Sequence, residues 1–362
     1  MLETDYMELA IQMAAKTKGQ TVPNPVVGCV IVKDSEIVGL GAHLKAGDPH
    51  AERHALAMAG EKAKEAVMYV TLEPCSHYGK TPPCADAIIE AGISKVFIAS
   101  LDPNPKVSGK GITKLKQAGI VVETGTHKAE ADALNKEFFH FIRTSKPYVT
   151  LKTASSIDGK IATSSGESQW ITGEEARKDG HRLRHENDAI LVGVETIIQD
   201  NPMLTARLSN GGHHPIRIIL DSTLRIPLTS HVVTDTQADT WVVTTNRASK
   251  EAREALEKTG VTIFTVAGDT IKITEILTII GKQQVSSLLV EGGGTVNDSF
   301  LRAGEFQCLI KYMAPMIIGG EQARSSFSGK GFSNLSDVPR LELVNMELIG
   351  QDVKFVFHKR EE

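Results

Sequence analysis

Apolar, β-branched runs alternate with helix-forming stretches along almost the entire chain, and no other feature narrows the possible folds as far. Strands that alternate with helices pack as a sheet covered by helices, a layered α/β arrangement. In the first part, residues 5–16 read as an amphipathic helix. Residues 26–33 and 37–42, split by the polar Asp34, Ser35 and Glu36, read as a hairpin. A helix over 50–60 stops at Gly60. Strands follow over 67–72, 96–100 and 120–123, with helices over 84–91 and 111–118. The pattern breaks near residues 143–148, where Pro147 disfavours helix in the residue before it. A boundary is expected there, dividing 1–146 from 147–362, and 362 residues suffice for two domains at roughly 150 residues each. The second series runs as strands over 148–153, 189–194, 216–221, 240–245, 261–266, 288–290 and 308–314. Two closing strands fall near 341–347 and 353–358, and helices over 174–185, 250–258 and 292–303.

The chain carries 40 basic and 44 acidic residues, and residues 1–146 hold 17 of each. Neither half is a basic module, which argues against duplex nucleic acid as a partner. Aromatic residues make up only 5%, too few for a stacking surface along single strands. No stretch reaches 18 apolar residues, so no membrane helix is expected. The first residues place acids where a signal peptide needs a basic start, so a cytoplasmic chain is expected. Four cysteines (Cys29, Cys75, Cys84 and Cys308) are too few for a disulfide framework. A close pair such as Cys75 and Cys84 points instead to metal or catalysis.

Three pieces at element ends give that pair a chemistry. His50 opens one helix, Cys75 follows a strand and Cys84 opens the next helix. One imidazole and two thiolates are a normal zinc set, and three protein ligands leave a fourth position for water, the catalytic arrangement. His-x-Glu with Pro-Cys-x-x-Cys is the signature of zinc deaminases, and this chain carries His-x-Glu with two Pro-Cys steps. Zinc makes water reactive at neutral pH. Glu52, two residues past His50, can take the water proton and pass it to the ring nitrogen and the leaving amine. A structural zinc site would instead close with a fourth ligand, for which His54 and His77 are candidates. The cysteines are eight residues apart rather than two, and the longer loop carries His77, Tyr78 and Lys80.

In the second half, Glu291 ends a strand and Gly292, Gly293 and Gly294 lead into a helix, where backbone amides can bind phosphate. The dinucleotide fingerprint is incomplete: Asn297 stands at the third glycine position, and no acid follows about 20 residues on. A tight turn explains the glycines equally well. Arg184 and Arg207 are natural phosphate forks. Spacing alone does not identify a reductase.

The segment from Cys75 to Cys84 (CSHYGKTPPC), together with Asn24-Pro25 and His50-Ala51-Glu52, closely resembles the bifunctional deaminase/reductases of riboflavin biosynthesis, and the resemblance runs through essentially all 362 residues. It implies a cytidine-deaminase-like three-layer αβα domain followed by a dihydrofolate-reductase-like α/β domain. It implies zinc on His50, Cys75 and Cys84, with Glu52 catalytic. The reactions are then hydrolytic deamination of 2,5-diamino-6-ribosylamino-4(3H)-pyrimidinone 5′-phosphate and NADPH-dependent reduction of the ribosyl chain. By matching motif positions, Asn24, His43, His77 and Lys80 line the deaminase substrate pocket. NADPH falls to Ala154, Trp170, Thr196, Asp200 and Ser222 and to the run Gly293, Gly294, Thr295, Val296, Asn297, Asp298 and Ser299. The reductase substrate falls to Ser168, Arg184, Leu204, Arg207 and Glu291. Lys152, on the face of Ala154, is placed to polarise the sugar C1. The partners implied are small phosphorylated pyrimidines and further copies of the chain. Taken without the resemblance, Asn24 before Pro25 is a turn residue and Lys80 a solvated loop charge. Two other readings stay open on residues alone: a nucleoside or tRNA deaminase with an appended non-catalytic domain, and a non-catalytic zinc-stabilised binding module.

Overall fold

The computed structural model describes residues 3–78, 82–104 and 107–360. The chain divides into two compact units, Met1–Ser145 and Lys146–Glu362.

The first unit runs α1 (Glu3–Ala15), β1 (Gly28–Lys33), β2 (Glu36–Ala42), α2 (Ala51–Ala59), β3 (Val67–Leu72), α3 (Cys84–Glu90), β4 (Lys95–Ser100), α4 (Lys110–Gln117), β5 (Val121–Thr124), α5 (Lys128–Leu134) and α6 (Lys136–Thr144). Its sheet has the order β2-β1-β3-β4-β5. The β1–β2 hairpin is antiparallel and turns through Asp34 and Ser35, both at positive φ, the geometry that matches the twist of the flanking strands. β3, β4 and β5 are parallel. Alternate residues face opposite sides of each strand. Cys29, Ile31, Met68, Val70, Val96 and Ile98 meet alanines of α2 and Ile88 of α3, while Val30, Val32, Tyr69, Phe97 and Ala99 meet Tyr6, Met7 and Ala10 of α1. Both faces are therefore buried, and the layers are helix, sheet, helix. The sequence reading lacked α5 and α6, short helices whose buried residues include Ala131 and Phe139.

The second unit runs β6 (Tyr148–Ser156), α7 (Glu174–Glu186), β7 (Ala189–Gly193), α8 (Val194–Asp200), β8 (Ile216–Leu220), α9 (His231–Thr234), β9 (Thr240–Thr244), α10 (Lys250–Glu257), β10 (Thr262–Thr265), α11 (Ile273–Lys282), β11 (Ser287–Val290), α12 (Gly294–Ala303), β12 (Cys308–Ala314), β13 (Leu341–Ile349) and β14 (Asp352–Lys359). The nine strands have the order β10-β9-β8-β7-β11-β6-β12-β14-β13. All pairings from β10 to β12 are parallel, and β14 and β13 close the sheet antiparallel. α11 and α12 pack on one face through Ile276, Leu277, Ile280 and Phe300, and α8 and α10 on the other through Ile197 and Leu256. The alternation in the sequence does not mark three of these helices: α8, whose first residue Val194 reads as the end of the preceding strand, and α9 and α11. Among the described residues, no helix is long and apolar enough to cross a membrane.

Candidate functional site

In the first unit the chemistry gathers where β3 ends and α2 and α3 begin. His50 stands just before α2, and its Nδ1 lies 3.6 Å from the Cys75 sulfur and 3.3 Å from the Cys84 sulfur. The Cys84 backbone N–H donates to the Cys75 sulfur at 3.3 Å. The three donor atoms lie within 4.8 Å of one another, and among the described residues no further His, Cys, Asp or Glu joins the group, His77 included. Hydrogen bonds from the Cys84 thiol, from His50 and from the Cys84 amide bring the Cys75 thiol down to about 4. That thiolate, together with burial, pushes Cys84 well above the ordinary thiol range.

Glu52, on the first turn of α2, is 3% exposed, and burial followed by the Cys75 charge raises its carboxyl to about 7. Its position opens onto a cavity of about 410 Å³ that Asn24, His43, His50, Cys75 and His77 also line. The Asn24 carboxamide donates to His43 Nε2 at 3.1 Å, and Nδ1 of the same ring donates to the Pro49 carbonyl at 3.3 Å. Both ring nitrogens are therefore used with one proton, and burial lowers His43 further. Lys80 lies outside the described residues. Glu73 accepts from the amides of Gly109, Gly111 and Ile112 at the start of α4, which makes it a helix cap.

The second unit carries its polar side chains at the carboxyl ends of adjacent parallel strands, where ligands bind in open α/β sheets. Ala154 lies near the end of β6, Thr196 and Asp200 on α8 after β7, Ser222 after β8, and Gly292 to Ser299 after β11. Glycine is required at the last of these. A Cβ on Gly294 would stand 2.4 Å from the Ser325 carbonyl oxygen, and one on Gly292 would stand 2.6 Å from Val296. Around Gly293 the space is open. Three side chains of this run are tied within the protein: Asn297 donates to the Ser326 carbonyl, Asp298 pairs with Arg302, and Ser299 donates to the Thr295 carbonyl. Trp170 is 66% exposed, with the Arg177 guanidinium 4.6 Å above its ring.

Below this edge lies a charge cluster. Arg184 of α7 donates from Nε and Nη2 to the two Glu291 oxygens at 2.8 and 2.9 Å, and Lys152 of β6 reaches the same carboxylate at 3.5 Å. Burial alone would raise Glu291, but Arg184 and Lys152 outweigh it and hold the carboxyl well below the usual range. Arg207 donates to His181 Nε2 at 3.3 Å. Leu204 is buried at φ +55°, and Ser168 lies in the loop before α7.

These arrangements have counterparts in known proteins. Residues 2–100 match the cytidine and deoxycytidylate deaminase zinc-binding region, and residues 147–355 match the RibD C-terminal domain. The riboflavin biosynthesis protein RibD of Bacillus amyloliquefaciens is 50% identical over 353 residues, covering 98% of this chain and 95% of that protein. The Escherichia coli (strain K12) RibD is 42% identical over 365 residues, covering 98% of each. Among solved structures, Acinetobacter baumannii RibD in one form superimposes with a TM-score of 0.91 at 39% identity, covering 99% of each chain. The diaminohydroxyphosphoribosylaminopyrimidine deaminase/5-amino-6-(5-phosphoribosylamino)uracil reductase of Thermotoga maritima gives 0.88 at 36% identity, covering 99% of this chain and 98% of that one.

The chain belongs to the RibD family. It is a bifunctional deaminase/reductase of riboflavin biosynthesis, with a cytidine-deaminase-like first domain and a RibD reductase domain. Zinc and NADPH are its cofactors. The match of relatives along both units disfavours a nucleoside or tRNA deaminase with an inert appendage. The donor set fits zinc, since a cation is what a buried thiolate beside a second thiol lacks. The glycine cradle and the row of strand ends fit an extended, phosphate-bearing cofactor. Among the cavity residues that the sequence reading did not single out are two polar ones after β4. Asp102 and Asn104 follow β4, beside the end of β3, and the Asn104 amide donates to Asp102 at 2.8 Å. Burial, with Glu73 adding to it, raises Asp102 to about 6. Their signal was present: β3 and β4 read as successive strands, and parallel neighbours bring their carboxyl ends together.

Proposed function

We propose that His50, Cys75 and Cys84 hold zinc through Nδ1 and the two sulfurs, and that Glu52 moves the protons of deamination. Bound at those atoms, zinc supplies a Lewis acid that makes water a nucleophile near neutral pH. Glu52, whose carboxyl is raised to about 7, takes a proton from the attacking water and delivers it to the pyrimidine ring nitrogen and then to the leaving amine. A C–O bond forms, the exocyclic C–N bond breaks, and ammonia leaves. Asn24, His43 and His77 orient the pyrimidine of 2,5-diamino-6-ribosylamino-4(3H)-pyrimidinone 5′-phosphate, and Lys80 meets its phosphate. The observation that carries this reading is the opening of Glu52, His50 and Cys75 onto one cavity, with the buried Cys84 sulfur 3.3 Å from His50 Nδ1.

In the second unit, the strand ends from Ala154 to Ser222 and the backbone of Gly293 to Val296 would hold NADPH, which would supply hydride for the reduction. Trp170 and Asp200 border it, and Asn297, Asp298 and Ser299 set the cradle. Lys152 donates a proton near the sugar C1, and Glu291 keeps Lys152 and Arg184 in place. Ser168, the Leu204 backbone and Arg207 hold the ribosyl phosphate. The deaminase then occupies residues 1–146 and the reductase 147–362, in a cytoplasmic homo-oligomer. Four free cysteines suit a reducing compartment.

The test follows ammonia with and without NADPH on the diaminopyrimidinone ribosyl phosphate. Ammonia without NADPH, and NADPH consumed only after ammonia appears, supports the assignment. If Glu52→Gln binds zinc and retains full deaminase turnover, the role of Glu52 is wrong.

A further inference from the structure

The reductase charge cluster holds one more titratable group, His181, which meets Arg207. His181 and Arg184 lie one turn apart on the same face of α7. The Arg184 charge is already matched: two of its nitrogens clamp Glu291, and the third donates to the Thr205 carbonyl at 3.3 Å. Arg207 differs. Among the described residues it forms no ion pair with a carboxylate, and it is exposed. Its guanidinium donates to His181 Nε2 at 3.3 Å. Guanidinium has donors only. The Nε2 atom is therefore the unprotonated nitrogen, and the ring is neutral before substrate arrives.

A phosphate ester drawn to Arg207 brings oxygen lone pairs against that Nε2 lone pair. The contact is repulsive unless a proton enters between them. With the proton, Arg207 and His181 place two positive donors on a dianion.

We propose that His181 binds the phosphate ester of the reductase substrate as an imidazolium, taking up one proton from solvent at Nε2 on binding. This rests on the assignment of Arg207 to that phosphate. The charged groups facing the ring are Arg184 on its own helix, Arg207 from the loop after α8, and Glu291 after β11. Burial, then Arg184 and Arg207, bring the free ring down to about 4, against the Thr205 backbone and Glu291. A bound dianion reverses the two arginine contributions. The protonated ring then binds more tightly, and affinity falls as pH rises from the pKa of the free ring toward that of the bound ring, levelling off above it.

The experiment measures KM for the deaminated ribosylamino phosphate by NADPH oxidation from pH 6.5 to 8.5, where the ester stays mainly dianionic. Wild type, His181→Gln and His181→Lys are compared, with thermal unfolding as the check on folding. Glutamine keeps an acceptor for Arg207 but cannot take a charge. Wild-type KM is expected to rise with pH. The glutamine variant is expected to be weaker by about tenfold at pH 6.5, the effect of one charge-assisted hydrogen bond, and to converge with wild type at pH 8.5. The permanently cationic lysine variant is expected to keep KM low at pH 8.5. Calorimetry in two buffers is expected to show proton uptake on binding in wild type and none in His181→Gln. A glutamine variant that follows the wild-type profile, or one weakened equally at every pH, overturns the proposal. Arg207→Gln separates the two levels. If it raises KM at every pH, the phosphate assignment stands whatever His181 does; if KM is unmoved, both fall.

Discussion

Replacing Glu291 by glutamine is the sharpest perturbation of the reductase unit, because the change is isosteric and the site is closed. The carboxylate receives Arg184 Nε at 2.8 Å, Arg184 Nη2 at 2.9 Å and Lys152 Nζ at 3.5 Å, with side-chain exposures of 11% for Glu291 and 16% for Arg184. Glutamine offers one oxygen in place of two. Its amide nitrogen must face a donor, whether Arg184 Nη2 or Nε, and the pocket is left with two cations and no anion. Two charge-assisted hydrogen bonds at about 1.5–3 kcal/mol each bound the loss. Removing one partner of a buried pair costs about 3–5 kcal/mol, in the same range. For a unit of this size that is a fall of roughly 6–20 °C in the midpoint of its thermal transition. Calorimetry on the full chain reads it, with the deaminase transition as an internal reference. The pH dependence has a definite sign. The folded carboxyl lies below its ordinary value of 4.5, so its stabilisation is complete above that value and is lost as pH falls through the folded one. The gap between wild type and variant should stay constant from pH 6 to 8 and narrow below about 4.5. A variant that unfolds with wild type at pH 7 would refute the reasoning, since it would mean Arg184 and Lys152 are balanced by something other than Glu291.

Glu52→Gln should retain zinc, measured by metal analysis, and lose ammonia release by about 10²–10⁴-fold, with NADPH oxidation on deaminated substrate unaffected. Removing metal with a chelator should abolish ammonia release, and adding zinc back should restore it; reductase turnover that fell in parallel would contradict the two-site assignment. Gly294→Ala places a Cβ 2.4 Å from the Ser325 carbonyl oxygen and should raise KM for NADPH while leaving ammonia release intact. The Asp102 carboxyl is raised from 3.8 to about 6, so the unfolded chain ionises first as pH rises. Its contribution to stability is complete below 3.8 and is lost as pH rises to about 6, and Asp102→Asn should remove that slope from denaturant midpoints measured across pH 4–7.

How far the sequence could be read depended on how local each cause was. The deaminase sheet was legible because its strands alternate apolar residues onto two buried faces, and the β1–β2 turn because Asp34 and Ser35 separate two β-branched runs. Val194 went to a strand because its residue type favours one, while packing against Ile197 and Leu204 makes it the start of α8. The metal donors were legible because each sits at an element end, next to a residue that marks that end. Asp102 was not, since its burial depends on where β4 lies beside β3. Arg184 shows the deeper limit. A phosphate fork and a carboxylate clamp use the same guanidinium, and only the arrival of Glu291, 107 residues further along the chain, decides between them. Glu291 matches the Arg184 charge, while Arg207 forms no ion pair with a carboxylate among the described residues. On the assignment proposed above, a chain of net charge −4 meets its anionic substrate with single placed groups, such as Arg207 beside a neutral His181.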